Sequence, residues 1–144
     1  MEFTDIAMEL SKEAWQASFQ HPFVLQLQEG TLEPSIFRYY LIQDAYYLKA
    51  FSEAYHLLAD KTSNQEMRRL LKQNAQSLVE GELFIRQQFF KELGISDQEM
   101  EQHPIAPTCY HYISHIYRQF EEANLAIAFA SLLPCPWLYH DIGK

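Results

Sequence analysis

One cysteine lies between two prolines near the end of the sequence, within residues 132–139 (LLPCPWLY). Because proline interrupts a helix, this pattern indicates a break at which a new helix begins. Unpaired N–H groups and the positive end of that helix would favour a thiolate, so Cys135 is a candidate nucleophile. The alternative is a structural kink in which Cys135 is a small buried hydrophobic residue, the more frequent role of an isolated cysteine.

A carboxylate interrupts the apolar face of the strongest predicted helix, which begins at Pro34 and runs to about Asp60. A buried carboxylate is unfavourable by several kcal/mol unless it is paired or hydrogen-bonded, so Asp44 needs a partner or a ligand. An ion pair with Arg86 or Arg118, a cap for a helix end and a functional role all remain open. The residues of that face step by three or four: Phe37, Leu41, Asp44, Leu48, Phe51, Tyr55 and Leu58.

Several tyrosines lie one helical turn from these two candidates. Tyr40 and Tyr47 lie four before and three after Asp44, and Tyr139 lies four after Cys135. Tyrosines at helical spacing are usually core residues with a satisfied hydroxyl. Together with an acid and a cysteine, they suggest a pocket in which the acid binds ring nitrogens and the aromatic faces stack on a flat polar ring.

A rival site would hold two metal ions on carboxylates and histidines. Glu53 and His56 form a Glu-x-x-His pair of the kind that helical bundles use for iron or manganese. However, this pair lies off the apolar face, and no second Glu-x-x-His is present. Further ligands for this less favoured alternative would come from His111, His115, Glu80 or Glu82.

Helical spacing recurs along the whole sequence, and no segment reads as a strand. The pattern therefore predicts one all-α domain over residues 1–144. The predicted elements are a helix capped by Thr4 and ending near Phe19, a short one from Pro22 to Gly30, the Pro34 helix, a long one from a Ser63–Glu66 capping box to Gly94, a short one after Ser96, one from Pro107, an apolar segment after Asn124, and a restart into Trp137.

The composition is that of a folded, acidic protein. Of the 144 residues, 48% are hydrophobic and 15% aromatic, which excludes an intrinsically disordered chain. The 11 basic and 19 acidic residues give a net charge of −8. Because an acidic surface repels phosphates and anionic lipids, we expect no nucleic-acid partner and no membrane partner.

The termini and cysteines indicate a cytoplasmic protein. Acidic residues stand where a secretory signal would be basic, so we expect no signal peptide. The apolar run over residues 125–136 is broken by Ser131 and two prolines and is too short to span a bilayer. Cys109 and Cys135 lack the spacing of a zinc site or a disulfide framework, which suits a reducing compartment.

With these residues the chain resembles the TenA/thiaminase II family, the aminopyrimidine aminohydrolases of thiamine salvage. The resemblance runs along the whole chain and is most specific in three segments. They are HPFV at 21–24 with Gly30, Leu32 and Phe37; Tyr40, Gln43, Asp44, Tyr46, Tyr47, Leu48 and Phe51; and LLPC at 132–135 with Trp137, Leu138, Tyr139, Ile142 and Gly143. Pro107, Tyr110, Tyr112 and His115 fit the helix between.

This resemblance implies an all-α, haem-oxygenase-like helical bundle, assembled as a homotetramer, with no metal or organic cofactor. Cys135 would add to the pyrimidine ring, so that ammonia, or the thiazole of thiamine, leaves from the neighbouring methylene. Asp44 would bind the exocyclic amine and the adjacent ring nitrogen, and Tyr47 would stack on the ring. Tyr112 and Tyr139 would supply hydrogen bonds.

Two departures from the family pattern leave two functions open. Arg86 stands where many members have a histidine, and family members continue beyond residue 144 with helices that supply a general-acid glutamate. We therefore expect the N-terminal portion of the family's fold, without its C-terminal helices. The chain is then either a hydrolase of the aminopyrimidine or a non-catalytic protein that binds pyrimidine or thiamine or acts in regulation.

Overall fold

The structure is a computed structural model that describes residues 1–122 and 124–144. Within those residues the chain forms helices and no strand, which confirms the predicted all-α class. The helices are α1 (Phe3–Phe19), α2 (Pro22–Glu29), α3 (Pro34–Lys61), α4 (Gln65–Ser77), α5 (Phe84–Leu93), α6 (Asp97–Gln102), α7 (Pro107–Glu122), α8 (Leu125–Leu132) and α9 (Pro134–Ile142). A π-helical segment, Leu78–Leu83, joins α4 to α5 and is called the π turn.

Several helix ends lie where the sequence predicts them. Gly30 and Gly94 end α2 and α5 with φ angles of 71° and 65°, in the left-handed region that glycine adopts without strain. Ser96 Oγ accepts a hydrogen bond from the Glu99 N–H at 3.1 Å and begins α6. Local side-chain chemistry therefore sets these boundaries.

Two predicted caps are wrong. The sequence favours Thr4 for α1, but the helix begins before it, because the Asp5 carboxylate accepts a hydrogen bond from the Glu2 N–H at 3.0 Å. At α4 the cap is Asn64 and not Ser63. At α1 the cap is Glu2, in a capping box with Asp5, and at α4 an amide oxygen one residue later replaces the serine hydroxyl.

The chain divides into two compact units. Met1–Pro34 with Cys135–Lys144 form the terminal unit, and Ser35–Pro134 form the central unit. The terminal unit contains α1, α2 and nearly all of α9, whereas the central unit contains α4 to α8 and nearly all of α3. The expectation of one domain over residues 1–144 stays a prediction.

In the terminal unit, two tryptophans fasten α9 to α1. The rings of Trp15 and Trp137 meet edge to face with their centroids 5.5 Å apart. Trp15 Nε1 also donates a hydrogen bond to Asp141 Oδ2 at 3.2 Å. The indole of Trp15 thus has both an aromatic contact and a hydrogen-bond partner on α9. These two contacts fix the face that α9 presents to α1.

In the central unit, α3 supplies most of the core. Leu41, Ile42 and Leu58 are almost fully buried. Leu41 and Ile42 pack with Ile95, which follows α5, and the partly buried Phe37 and Phe89 join this cluster. The face that the sequence predicts for α3 is therefore confirmed, and α3 is the element on which the other helices of this unit are positioned.

One stretch meets the minimum requirements of length and composition for a membrane span. Leu125–Ile142 covers 18 residues with a mean hydropathy of 1.2, although only 11% of the stretch is buried. The sequence-based expectation considers residues 125–136 alone, which is shorter. A single segment of this kind is weak evidence for a membrane, because core helices of soluble proteins meet the same requirements.

Candidate functional site

The carboxylate of Asp44 lies inside the central unit, on the α3 face that the sequence predicts to be buried. Its neighbours one turn before and after, Leu41 and Leu48, belong to the core, and Asp44 itself is 8% exposed. The predicted interior position is therefore confirmed. A charge at this depth requires a compensating group.

Arg86 on α5 provides the compensating charge. Its Nε donates a hydrogen bond to Asp44 Oδ2, and its Nη2 lies 3.8 Å from Glu82 Oε2 on the π turn. Arg118, the other candidate partner, pairs with Glu122 on its own helix. The structural ion pair that the sequence leaves open is thus present, and its guanidinium bridges two carboxylates.

Burial and the ion pair act on Asp44 in opposite directions. Removal from water raises the pKa of the Asp44 carboxyl and is the larger effect, while the hydrogen bond and charge of Arg86 lower it. For Arg86, burial is the largest single effect and lowers the pKa, but the hydrogen bond and charge of Asp44, together with Tyr40 and Glu82, raise it above its ordinary value. The guanidinium therefore keeps its charge, and the carboxylate depends on that charge to stay ionised.

The π turn changes which residues of α5 face the core. The apolar spacing of residues 65–93 predicts one helix with Ile85 and Leu93 on its inner face, but their exposed fractions are 43% and 39%, and those of Met67 and Leu70 before the π turn are 38% and 46%. A π turn takes in one residue more than an α-helical turn, which rotates the following residues by about 100°. On α5, Ile85 faces solvent, while Arg86 beside it contacts Asp44.

Aromatic rings continue the α3 face beyond Asp44. Tyr47 stacks on Phe51 with ring centroids 5.3 Å apart, and it lies 5.7 Å from the ring of Tyr112 on α7. Phe51 in turn meets Tyr55 edge to face at 5.1 Å. The structure therefore brings together two of the predicted substrate-binding residues, Tyr47 and Tyr112.

Gln43, next to Asp44 in sequence, has a structural role that the helical pattern does not reveal. Its Nε2 donates a hydrogen bond to the Pro104 carbonyl at 3.1 Å, and its Oε1 accepts one from the Ala106 N–H at 2.7 Å. One side-chain amide thus holds the connection between α6 and α7 against α3. In the sequence, the only sign of this role is that Gln43 is a polar residue next to the buried Asp44.

Cys109 on α7 is the other cysteine of the chain, and it interacts electrostatically with Asp44. Its Sγ lies 3.9 Å from the backbone carbonyl of Gln43. Burial, followed by the negative charge of Asp44, raises the pKa of the Cys109 thiol. Cys109 is therefore kept protonated, which is the opposite of what a nucleophilic cysteine requires.

Cys135 is the second residue of α9 and lies in the terminal unit. α8 ends at Leu132 and α9 begins at Pro134, so the predicted break is confirmed. Prolines on both sides of Cys135 have no N–H group, and such residues are tolerated in the first turn of a helix. Cys135 is half-buried, and Tyr139, one turn later, is 51% exposed.

The predicted site residues thus fall in both units. Asp44, Tyr47 and Tyr112 belong to the central unit, and Cys135 and Tyr139 belong to the terminal unit. Chemically, the central group offers a carboxylate and, one helical turn later on α3, a pair of aromatic rings, whereas the terminal group offers a thiol at the start of a helix. The catalytic and binding roles assigned to these residues stay predictions.

The rival metal site has no ligand set in the described part of the chain. No group of three or more His, Cys, Asp or Glu side chains lies close enough to hold an ion among residues 1–122 and 124–144. Glu53 and His56 are exposed, as are His111 and His115. The Glu-x-x-His spacing alone does not assemble a site.

The amino-acid sequence matches known proteins along almost its whole length. A sequence model described as the TENA/THI-4/PQQC family matches residues 10–144. An aminopyrimidine aminohydrolase of Bacillus subtilis is 35% identical over 144 residues, which are 100% of this chain and 61% of that protein. The enzyme of the same name from Halalkalibacterium halodurans is 29% identical over 143 residues, which are 99% of this chain and 64% of that protein.

Solved structures share the fold. A TenA homologue from P. horikoshii OT3 superposes with a TM-score of 0.88 at 27% identity, over 99% of this chain and 66% of that one. A protein from Silicibacter sp. TM1040, described as a TenA family transcription regulator, gives a TM-score of 0.91 at 26% identity, over 99% of this chain and 64% of that one. These superpositions confirm the expected TenA-type helical fold.

The chain spans about three fifths of the length of the two curated relatives. Matches to those relatives therefore concern the part of their fold that corresponds to residues 1–144. Within that part, the buried acid, the paired tyrosines and the cysteine at the start of α9 are the groups with chemical potential.

Proposed function

Because this chain belongs to the TENA/THI-4/PQQC family, we propose that its protein is a hydrolase of thiamine salvage that releases ammonia from aminomethylpyrimidine. The two curated relatives described above, both named aminopyrimidine aminohydrolase, support this reaction class. Within the molecule, the observation that carries the proposal is the buried Asp44 carboxylate on α3, one helical turn before Tyr47, whose ring lies 5.7 Å from that of Tyr112.

Substrate recognition would rest on the central unit. A buried carboxylate accepts hydrogen bonds from an amino group more strongly than water does, because the surroundings have a low dielectric constant. Asp44 would bind the exocyclic amine of the pyrimidine, and Tyr47 would stack on the ring face. Tyr112, together with Tyr139 of the terminal unit, would donate hydrogen bonds that orient the ring.

The chemical step would use Cys135 as nucleophile. The thiolate adds to an electron-poor ring carbon, and the C–N bond of the neighbouring methylene breaks as the amine takes the bonding electrons and a proton and leaves as ammonia. Water then adds to the methylene, loses a proton, and the ring expels the thiolate. The sum is aminomethylpyrimidine plus water giving hydroxymethylpyrimidine plus ammonia. With thiamine as substrate, the thiazole would leave in place of ammonia.

The assembly, the cofactors and the cellular location of the enzyme are part of the same proposal. The family resemblance supports a homotetramer that uses no metal or organic cofactor, and the acidic composition with two cysteines that lack the spacing of a disulfide framework supports a cytoplasmic protein. Its partner would be a small pyrimidine, with no nucleic acid and no membrane. Sedimentation of the full gene product measures the predicted assembly directly.

Ammonia release from aminomethylpyrimidine tests the reaction, with the protein expressed from its full gene. Wild-type protein should release ammonia, and Cys135→Ala should reduce the rate roughly a thousandfold or more, because removing a nucleophile abolishes the covalent route. Cys109→Ala is the matched control, since that thiol is partly buried and kept protonated, and it should retain activity. Absence of ammonia from the wild type, or full activity of Cys135→Ala, would refute the proposal.

A further inference from the structure

The guanidinium of Arg86 meets Asp44 at a single oxygen. Nε donates to Oδ2, while Nη2 is directed at Glu82, 3.8 Å away on the π turn. The arginine therefore does not form the two-point, end-on contact that arginine and carboxylate often make. Its charge is shared between two carboxylates, and the second oxygen of Asp44, Oδ1, lies outside the Nε–Oδ2 contact.

We propose that Arg86 is a positioning residue that holds Asp44 through Oδ2, so that Oδ1 receives one hydrogen bond from the amino group of a neutral pyrimidine ring. This inference rests on the function proposed above and narrows its substrate to the unprotonated aminopyrimidine. Arg86 acts through Asp44 and contacts no reacting atom.

The preference for a neutral ring follows from the donors and charges involved. A carboxylate with both oxygens available binds an amino group and an adjacent protonated ring nitrogen at two points, as a charged pair. Here the second point is taken by Arg86 Nε, so a protonated ring would have to displace the guanidinium. It would also bring a second cation beside Arg86 in a buried site, where like charges repel strongly.

The charged and titratable groups around the pair are known on each helix that contributes to it. Glu82 faces Arg86 from the π turn, Tyr40 of α3 interacts electrostatically with Arg86, and Cys109 of α7 interacts with Asp44. Of these, Glu82 is the acidic group that shares the guanidinium. A variant at Glu82 therefore tests whether the pH dependence of binding is due to Asp44 alone.

The experiment measures by calorimetry how pH changes the affinity of the full gene product for hydroxymethylpyrimidine, which carries the same ring and amino group. In wild-type protein the affinity should fall by about tenfold for each pH unit below the pKa of the unbound ring, because only the neutral ring binds. An affinity that is constant or rises as the pH falls overturns the inference.

Three variants separate positioning from a merely structural role. Arg86→Gln removes the charge that keeps the Asp44 carboxylate ionised, so binding should weaken at pH 8. It also removes the competing cation, so the fall in affinity at low pH should be smaller than in wild-type protein. Arg86→Lys keeps a cation that can contact one oxygen and should keep the wild-type pH profile, as should Glu82→Gln, which leaves Asp44 and Arg86 paired. If Arg86→Gln does not fold, the wild-type and Arg86→Lys profiles still decide the question.

The two proposals fail in different ways. Ammonia release by the wild type together with the wrong pH profile overturns only the inference about Arg86. If wild-type protein neither releases ammonia nor binds hydroxymethylpyrimidine, the proposed function fails and the inference fails with it.

Discussion

Two arginine–carboxylate pairs hold other helices against α3, and they differ in how completely the arginine is used. In the first, every guanidinium nitrogen of Arg38 has an acceptor: Nε and Nη2 donate to Glu99 at 3.1 Å and 2.5 Å, and Nη1 donates to the Leu93 carbonyl at 2.6 Å. In the second, Arg86 contacts one oxygen of Asp44. The first pair is complete, whereas the second has hydrogen-bonding capacity left.

The pair with fewer hydrogen bonds is the more deeply buried of the two. The side chains of Arg38 and Glu99 are 30% and 24% exposed, whereas those of Arg86 and Asp44 are 16% and 7% exposed. A pair that serves stability alone would gain most from complete hydrogen bonding where water is absent. The Arg38 pair is thus a structural contact between α3 and α6, and the incomplete Arg86 pair is the feature on which the ligand role proposed above rests.

The largest expected difference between the pairs is the cost of removing one carboxylate. Asp44→Ala leaves Arg86 buried without its partner and should lower the free energy of unfolding by about 3 kcal/mol. Glu99→Ala leaves Arg38 partly solvated and should lower it by about 1 kcal/mol. Urea denaturation of both variants of the full gene product measures the two values, and equal losses would contradict the distinction.

A smaller difference should separate the two arginines when each is shortened to lysine. Arg38→Lys loses the planar fork on Glu99 and the bond to Leu93, so it should destabilise the protein by about 1 kcal/mol. Arg86→Lys can keep a one-point contact with Asp44 and should lose roughly half as much. The same denaturation experiment compares the two variants, and a greater loss of stability for Arg86→Lys would contradict a one-point contact between Arg86 and Asp44.

The smallest expected effect is electrostatic and concerns Cys109. Burial and the Asp44 charge hold the thiol pKa above its ordinary value of 9.0, so alkylation in a Cys135→Ser background should rise only above that pH. Because the folded protein holds this proton more tightly than the unfolded chain, the thiol's contribution to stability is present below pH 9.0 and is lost as the pH rises through the folded pKa.

Matched amide variants identify the source of that shift. Asp44→Asn should move the alkylation profile of Cys109 to lower pH, since one of the two causes of the raised pKa is removed. Glu99→Gln, which changes the other pair, should leave the profile in place. A profile that is unchanged in Asp44→Asn would assign the whole shift to burial.

Much of the helical framework could be predicted because the rules that govern it are local. Pro34, Gly30 and Gly94 mark helix ends through backbone conformation, which the residue type nearly determines. The buried position of Asp44 could be predicted for a related reason. Seven residues at helical spacing define one face of α3, and a largely apolar face packs against the core.

The remaining features depend on information that periodicity does not contain. A period of 3.6 residues cannot reveal a π turn, and apolar spacing alone placed Met67, Leu70 and Ile85 on an inner face although all three are exposed. The partner of Asp44 lies 42 positions away, and spacing could not choose between Arg86 and Arg118. The family resemblance includes Cys135, the tyrosines and Gln43, but it gave no role for Gln43, whose partners belong to the connection between α6 and α7.

The side chain of Gln43 has a consequence for motion. The connection before α7 contains Pro104, which has no N–H, so few of its backbone groups can report opening by hydrogen exchange. The Ala106 amide can, and it exchanges only when Gln43 releases it. A single protection factor at Ala106 therefore gives the free energy with which this connection detaches from the helix that bears Asp44.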